Sequence, residues 1–191
     1  MIMEFEKYKE LLKERLTEKR YFHSLCVADK AKELAVIEGV DENKAYLAGL
    51  LHDVMKDTPI EDQLEYLESK NVQLTAIEKA SPKLLHAISG AAFVKYELKL
   101  DDEIVDAVRY HTTAKANISL FAKIIYMADF SSADRKYPDI EVVRNEIKKS
   151  LDAGYEYTLK YTIDYLLKKG QLIHPNTFNA YNDLLLNKEK L

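Results

Sequence analysis

The chain has 191 residues, enough for one globular domain with a complete hydrophobic core. Its composition, 47% hydrophobic and 31% charged, is ordinary for a soluble protein, and its net charge of −4 argues against general nucleic-acid binding, which would need a basic face. The apolar runs are too short to span a bilayer, so no membrane association is expected. A single cysteine excludes an internal disulfide, and the charged start MIMEFEKYKE is not signal-like, so we predict a cytoplasmic protein.

Apolar residues recur at helical spacing through the first half of the chain. Gly39 is expected to close the second helix, and Asp41 is a good N-cap for the third. Thr58 predicts a further helix start as N-cap, with Pro59 at the first helical position and Glu61 completing a capping box. The predicted helices are 5–16, a run through 25–35 that closes at Gly39, then 42–54, 59–71, 75–80 and 84–98.

The second half of the chain continues the same pattern. Asp101 is expected to cap one helix, and Gly170 is expected to stop another. The predicted helices are 104–110, 118–130, 140–151, 155–167 and 178–186. No stretch alternates with the period of two that a half-buried strand would show. We therefore predict an all-α single domain over residues 1–191, with about nine or ten helices.

The adjacent pair His52-Asp53, at the end of an apolar helical run, indicates where chemistry could occur. Imidazole and carboxylate are both good ligands for divalent first-row metals. One such pair can hold an ion only if other helices supply further ligands. The candidates on either side of the pair are His23, His86, His111 and Asp129.

Each candidate taken alone also has an ordinary structural interpretation, because a histidine in an amphipathic helix usually makes a hydrogen bond at the edge of the core. The combination is more informative. Asp129 is the only acid in the apolar run 118–130, and a charge on a buried helix is costly unless it is paired or bound to a metal. We therefore expect Asp129 to point inward and to share a metal with the histidines.

The order His23, His52-Asp53, Asp129 resembles the HD-domain metal-dependent phosphohydrolases, an all-helical superfamily. His86 and three local strings narrow the resemblance: His111-Thr112-Thr113, Ala128-Asp129-Phe130 followed by Arg135, and Ile173-His174-Pro175-Asn176-Thr177 leading to Ala180-Tyr181-Asn182. With these, the chain from residue 20 to 182 is similar to the symmetrical bis(5′-nucleosyl)-tetraphosphatases of the YqeK type. Enzymes of that family cut diadenosine tetraphosphate into two ADP.

The resemblance implies roles for particular residues. The implied metal ligands are His23, His52, Asp53 and Asp129, and the implied catalytic residues are Asp53, His86 and His111. His86 and His111 would hold a second ion or face the substrate phosphates. The residues expected at the nucleotide are Arg20, Lys56, His86, His111, Thr112, Arg135, Ile173, His174, Thr177 and Tyr181.

Two positions depart from the expected family pattern. Ala114 stands where a glycine is expected after His-Thr-Thr, and residues 131–134 replace a more acidic, proline-containing segment. Both lie on the presumed substrate side, so they concern specificity rather than the metal ligands.

The expected cofactor is a divalent metal. The resemblance favours iron, whereas the ligand types alone leave manganese, cobalt and zinc open. A metal-activated water would attack the phosphoanhydride, because the ion lowers the pKa of its water and polarises a phosphoryl oxygen.

Two alternatives stay open: an HD-type nucleotidase acting on mono- or deoxynucleotides, and a non-catalytic nucleotide-binding sensor with an inert metal. The expected partner is a dinucleoside polyphosphate or nucleotide, and a homodimer is one option for the assembly.

Overall fold

The computed structural model describes residues 2–188, and all regular structure in that range is helical. The eleven α-helices are α1 Ile2–Arg15, α2 Glu18–Glu38, α3 Glu42–Leu51, α4 Ile60–Ser69, α5 Ala76–Lys79, α6 Leu85–Tyr96, α7 Asp102–Tyr110, α8 Leu120–Ser131, α9 Ile140–Lys149, α10 Leu151–Lys168 and α11 Pro175–Lys188, with a 3₁₀ turn at Pro82–Leu84. The all-α prediction is confirmed. Each of the eleven predicted ranges overlaps one of these helices, including the single turn α5 and the pair α9 and α10 that Ser150 alone divides, so the stated total of about nine or ten is one or two short.

Helix α8 forms the centre of the main hydrophobic core. Its residues 124–128 are fully buried, and α2, α3, α7, α9 and α10 pack around it. Helices α2 and α3 are in tight contact at Gly49, where a Cβ atom would lie 2.9 Å from the Cα atom of Ala28. This contact fixes the two helices that carry His23 and His52. Among the described residues, every helix is too short or too polar to serve as a membrane span.

Several helix ends follow the capping residues that the sequence indicates. The carboxylate of Asp41 accepts from the backbone N–H groups of residues 43 and 44, and that of Asp101 accepts from those of residues 103 and 104. Gly39 and Gly170 follow α2 and α10 with φ angles of 71° and 59°, in the left-handed region that glycine tolerates best. The short polar side chains and the two glycines therefore set these boundaries.

The predicted capping box at Thr58 is wrong. Helix α4 begins at Ile60, so Pro59 occupies the N-cap position, and no side chain caps the helix. The Thr58 hydroxyl instead donates to the sulfur of Met55 at 3.8 Å, within the turn that follows α3. The capping box of this region lies between Thr75 and Glu78 of α5, where the side chain of each residue binds the backbone N–H of the other.

The third helix also ends earlier than predicted. Helix α3 stops at Leu51 rather than at residue 54, and residues 52–57 form turns. On a continuing helix, adjacent side chains would diverge. Here the backbone turns directly after His52, and Nε2 of His52 lies 3.6 Å from Oδ2 of Asp53. The early end of the helix thus allows neighbouring residues to face one point.

Candidate metal centre

Four histidine rings form a row in the interior of the helical bundle. His23 comes from α2, and His52 is the C-cap of α3. His86 lies in the first turn of α6, and His111 is the C-cap of α7. Successive ring centroids are 5.2, 5.0 and 5.2 Å apart in the order His23, His52, His111 and His86. All four side chains are buried, so four separate helices deliver one line of imidazoles to the interior.

Two carboxylates complete two overlapping sets of potential metal ligands. One set contains His23, His52 and Asp129, and the other contains His52, Asp53 and His111. Within each set the ligand atoms lie within 4.8 Å of one another. Oδ1 of Asp129 is 3.0 Å from Nε2 of His23 and 3.8 Å from Nε2 of His52. Because His52 belongs to both sets, the cluster could hold one divalent first-row metal or two adjacent ones.

Two of the rings are fixed by a hydrogen bond on the nitrogen that points away from the cluster. Nδ1 of His52 donates to the carbonyl of Gly49 at 2.6 Å, and Nδ1 of His111 donates to the carbonyl of Val108 at 2.8 Å. A carbonyl oxygen can only accept, so the proton is on Nδ1 and the lone pair of Nε2 faces the cluster. This is the tautomer in which an imidazole can bind a metal through Nε2.

The centre contains buried acceptor atoms that lack a well-formed hydrogen bond. Nε2 of His52 and Oδ1 of Asp53 are shielded from solvent and have no hydrogen-bond partner of good geometry among the described residues, although Nε2 of His86 lies 3.2 Å from Oδ1. Buried polar atoms are nearly always paired, and acceptors that face one another need a cation or a proton between them. The donor set therefore fits a divalent metal ion.

The protonation states of these side chains suit metal binding. Burial alone would raise the pKa of the Asp53 carboxyl, but the neighbouring histidines, among them His86 with Nε2 3.2 Å from Oδ1, hold it well below its usual value. Burial would also raise the pKa of Asp129, and the Arg135 guanidinium holds it well below its usual value. Burial lowers the pKa of His52 to about 3. The ionised carboxylates and the neutral imidazole of His52 are the forms that coordinate metals.

Three cations approach the carboxylates from the solvent side. Nη1 of Arg20 is 3.4 Å from Oδ2 of Asp53, and Nζ of Lys56 is 4.0 Å from Oδ1 of the same carboxylate. Arg135 donates from Nε to the backbone carbonyl of Asp129 at 2.7 Å and from Nη2 to its carboxylate. All three cationic side chains are partly exposed, so they can also contact an anion that enters the centre.

His86 and His111 form the far part of the row. Their Nε2 atoms are 3.2 Å apart, and Nζ of Lys56 is 3.3 Å from Nδ1 of His86. Nδ1 of His111 already carries that ring's proton, which it donates to Val108, so the bond between the two Nε2 atoms takes its proton from His86. Burial lowers the pKa of His86, which keeps this ring neutral with one N–H to donate. The row thus combines metal-ligand nitrogens with one hydrogen-bond donor.

The profile of the HD domain family matches residues 20–134, more than half of the chain. The chain belongs to the HD domain family. A relative from Halalkalibacterium halodurans, named Bis(5'-nucleosyl)-tetraphosphatase, symmetrical, is 38% identical over 94% of this chain and 96% of the relative. A relative of the same name from Bacillus subtilis is 35% identical over 91% of this chain and 94% of the relative.

A solved structure supports the same assignment. The protein in a crystal structure described as a predicted HD superfamily hydrolase involved in NAD metabolism, from Clostridium acetobutylicum, is 33% identical to this chain. The two folds agree with a TM-score of 0.92 over 96% of this chain and 97% of that one. The family resemblance stated from the ordered histidines and aspartates is therefore confirmed.

One residue of this HD centre was not among the predicted site residues. Oδ2 of Asp134, in the loop after α8, lies 2.8 Å from Nδ1 of His23, and its Oδ1 accepts from the Ser132 hydroxyl at 2.7 Å. Asp134 thus accepts the hydrogen bond from the outer nitrogen of His23, as backbone carbonyls do for His52 and His111. In the sequence it is one acid in a charged loop, and only its closeness to Asp129 could have indicated a role.

A cavity of about 390 Å³ opens beside the loop that follows His111. Four residues of the two family strings line it: Thr112, Thr113, His174 and Thr177. The Thr177 hydroxyl donates to the backbone carbonyl of Thr113 at 2.9 Å, which ties the turn before α11 to this loop. The hydroxyl oxygen of Thr112 is buried and has no hydrogen-bond partner among the described residues. The residues of these two strings therefore bring hydrogen-bonding side chains to the cavity lining.

Two residues predicted at the nucleotide lie outside this cavity. Tyr181 packs against the main hydrophobic core, and neither Tyr181 nor Ile173 lines the cavity. A base bound in this cavity would therefore meet threonine and histidine side chains rather than the ring of Tyr181.

The departures from the family pattern have visible structural consequences. Ala114 has a φ angle of 56°, in the left-handed region where the glycine expected at this position would be unstrained. In the other departure, Ser132 and Asp134 form the hydrogen-bonded pair that supports His23. The altered loop thus retains an acidic contact with the metal centre.

Proposed function

We propose that this HD domain protein is a metal-dependent hydrolase that cleaves diadenosine tetraphosphate symmetrically into two ADP. The observation that carries the proposal is the group of buried, unpaired acceptor atoms on His52 and Asp53, enclosed by ionised carboxylates and solvent-facing cations. The names of the relatives from Halalkalibacterium halodurans and Bacillus subtilis support the choice of substrate.

The residues that would hold the ion are His23, His52, Asp53 and Asp129, with His86 and His111 available to a second ion beside Asp53. Once bound, a divalent ion would provide a hydroxide nucleophile near neutral pH and polarise a phosphoryl oxygen. Mixed nitrogen and oxygen ligands suit several first-row metals, and the family resemblance favours iron among them.

The charges of the site suit a polyphosphate. Three acids and three cations, Asp53, Asp129, Asp134, Arg20, Lys56 and Arg135, sum to zero. With a divalent ion bound, the local charge becomes +2, which favours a multiply charged anion. Arg20 and Arg135 can each bind two phosphate oxygens, whereas Lys56 acts as a point charge.

The reaction adds one water across the central phosphoanhydride bond. The water oxygen bonds to one of the two central phosphorus atoms, and the bond from that phosphorus to the bridging oxygen breaks. The bridging oxygen leaves with the second ADP. His86, which carries the proton shared with His111, is placed to donate a hydrogen bond to the departing phosphate or to pass it a proton.

The test is a product assay combined with metal analysis. The purified protein, loaded in turn with iron, manganese, cobalt and zinc, is incubated with diadenosine tetraphosphate, and the products are separated by anion-exchange chromatography. We expect ADP as the only nucleotide product. ATP together with AMP would contradict symmetrical cleavage, and faster phosphate release from a mononucleotide would favour a nucleotidase.

A pair of variants separates an enzyme from a sensor with a structural metal. Asp53→Ala should lose turnover and metal while circular dichroism shows a folded protein. Asp62→Ala, at an exposed position on α4, is the matched control and should behave as wild type. Turnover that survives Asp53→Ala would reject a catalytic centre at this position. Sedimentation of the same samples tests the predicted homodimer.

A further inference from the structure

A second cavity borders the metal centre on its Asp129 side. Its volume is about 320 Å³, and Asp129 and Arg135 line it together with four aromatic rings. We call this space the tyrosine cavity, and the four rings that line it are those of Phe130, Tyr137, Tyr161 and Tyr165. Its size is within the range of small-molecule sites, roughly 300–1,000 Å³.

Helix α10 separates the tyrosine cavity from the cavity beside Thr112. Tyr161 and Tyr165 line the tyrosine cavity, whereas Thr162 and Leu166 line the other. Successive residues of a helix point in different directions, so the two cavities lie on different sides of α10. One cavity adjoins the His23 half of the imidazole row, and the other follows the loop after His111.

The rings of the tyrosine cavity are arranged as a stacking surface. Tyr161 and Tyr165 have centroids 6.4 Å apart and an interplanar angle of 13°, and Tyr137 lies 5.6 Å from Tyr161. The Tyr137 hydroxyl donates to the carbonyl of Phe130 at 2.9 Å, which holds its ring in place. Tyr165 keeps 46% of its surface exposed. Near-parallel and partly exposed rings offer a surface on which a planar base can stack.

Arg135 connects this cavity to the metal centre. Its guanidinium binds Asp129, and its side chain is one third exposed and lines the cavity. A phosphate bound by this guanidinium would lead the attached nucleoside from the metal centre toward the rings. Asp129 is the one acid among the described lining residues, and Arg135 neutralises it. The cavity therefore suits an uncharged aromatic group joined to a phosphate.

We propose that the tyrosine cavity binds one nucleoside of the dinucleoside substrate while the cavity beside Thr112 binds the other. The inference rests on the proposed function, since symmetrical cleavage places the reacting bond at the middle of the tetraphosphate. Two equal halves then leave the metal centre in different directions, and each ends in a nucleoside. A mononucleotide fills only one cavity, so the tyrosine cavity makes the site selective for dinucleotides.

The test compares variants of one exposed ring. Tyr165→Ala removes a stacking face, whereas Tyr165→Phe keeps the face and removes only the hydroxyl. Tyr96→Ala is the matched control, because Tyr96 has a similar exposed fraction of 43% and does not line the tyrosine cavity. All three changes affect half-exposed side chains, so the variants should fold.

Two ligands separate nucleoside binding from phosphate binding. One is diadenosine tetraphosphate with a methylene bridge at the central position, and the other carries the same bridged tetraphosphate but only one adenosine. Binding to metal-loaded protein is measured by calorimetry. Tyr165→Ala should weaken the two-nucleoside ligand about tenfold, in line with base–aromatic stacking, and leave the one-nucleoside ligand unchanged. Tyr165→Phe and Tyr96→Ala should bind both ligands as wild type does.

The outcomes distinguish this inference from the proposed function. If wild-type protein forms no ADP from diadenosine tetraphosphate, the proposed function fails. If it forms ADP but Tyr165→Ala binds the two-nucleoside ligand as tightly as wild type, only the tyrosine cavity assignment fails. An equal loss of affinity for both ligands would mean that the ring supports the phosphate site, and it would also reject the assignment.

Discussion

Nδ1 of His23 lies 2.8 Å from Oδ2 of Asp134, on the side of the ring that faces away from the metal centre. The opposite nitrogen, Nε2, is 3.0 Å from Oδ1 of Asp129. A carboxylate on the outer nitrogen fixes the tautomer and raises the basicity of a histidine ligand. Asp134 therefore prepares His23 for the metal without being a ligand itself.

Replacing Asp134 by alanine should weaken metal binding, because His23 loses the partner that sets its tautomer. The loss of an outer partner of this kind typically costs about 10- to 100-fold in metal affinity. Metal content after dialysis against graded chelator concentrations measures the effect. Asp134→Asn keeps an acceptor oxygen without the charge, so its metal affinity should lie between those of wild type and Asp134→Ala. Wild-type affinity in Asp134→Ala would show that the contact with His23 is incidental.

Removing the metal should lower the thermal stability of the protein. Without an ion, the acceptor atoms of His52 and Asp53 stay buried and unpaired. A ligand present at 100 times its Kd stabilises a fold by about 2.7 kcal/mol. For a chain of this size that corresponds to a fall of roughly 5–10 °C in Tm on chelation. Calorimetry with and without chelator tests this, and Asp53→Ala should show no difference between the two conditions.

The role of a charged residue on an apolar helix could be predicted from the sequence, because burial restricts which residue types can occur there. Asp129 is the single acid of an apolar run, and a charge there must be paired or bound to a metal when the helix is buried. That run forms α8 at the centre of the core, and the structure brings Asp129 within hydrogen-bond distance of His23. Periodicity and the cost of a buried charge were enough for this inference.

Loop geometry could not be predicted in the same way. Thr58 and Thr75 both precede acidic residues at capping distance, yet only Thr75 forms the box, because the turn after α3 draws the Thr58 hydroxyl to Met55. The tyrosine cavity likewise depends on how the loop carrying Tyr137 meets α10. The second contact joins residues distant in the chain, and the first depends on the path of a turn, so neither could be predicted from helical spacing.

Substituting alanine for Gly49 should separate α2 from α3 and disturb the metal centre. The added Cβ atom would lie 2.9 Å from the Cα atom of Ala28 and 3.0 Å from the Ala31 Cβ atom, so the backbones must move. Overpacking of this kind typically costs about 1–3 kcal/mol. Because α2 carries His23 and α3 ends at His52, metal affinity should fall together with the free energy of unfolding. Urea denaturation and metal titration measure the two effects.

The matched control is Gly90→Ala in α6. A Cβ atom there would meet its nearest neighbour, Cγ1 of Val108, at 3.4 Å, which is an ordinary contact distance. Alanine is favoured over glycine inside a helix by about 0.5–1 kcal/mol, so this variant should be as stable as wild type or slightly more stable. Equal effects of the two substitutions would contradict the importance of the close approach at Gly49.

Glu78 should contribute stability that disappears in acid. Its buried carboxylate accepts from the backbone N–H of Thr75 and pairs with Arg109, and Nε2 of His174 lies 3.7 Å from Oε1. Glu78 therefore joins α5, α7 and the turn before α11. Burial alone would raise the pKa of Glu78, but the hydrogen bonds from Thr75 and the contact with Arg109 lower it below 4.5. A carboxyl group whose pKa is lower in the folded than in the unfolded state stabilises the fold fully at pH values above its unfolded-state pKa. This stabilisation is lost as the pH falls through its folded-state pKa. Glu78→Gln should therefore be less stable than wild type by about 1–3 kcal/mol at pH 7.

The difference between wild type and Glu78→Gln should shrink as the pH falls from 6 to 3, because protonation removes the same charge from the wild-type side chain. Urea denaturation across this range measures it, and Glu61→Gln, at an exposed position on α4, serves as the control with no such trend. A difference that stays constant with pH would mean that the carboxylate acts through its shape and hydrogen bonds rather than its charge. A difference that grows in acid would reverse the sign of the pKa shift and contradict the ion pair with Arg109.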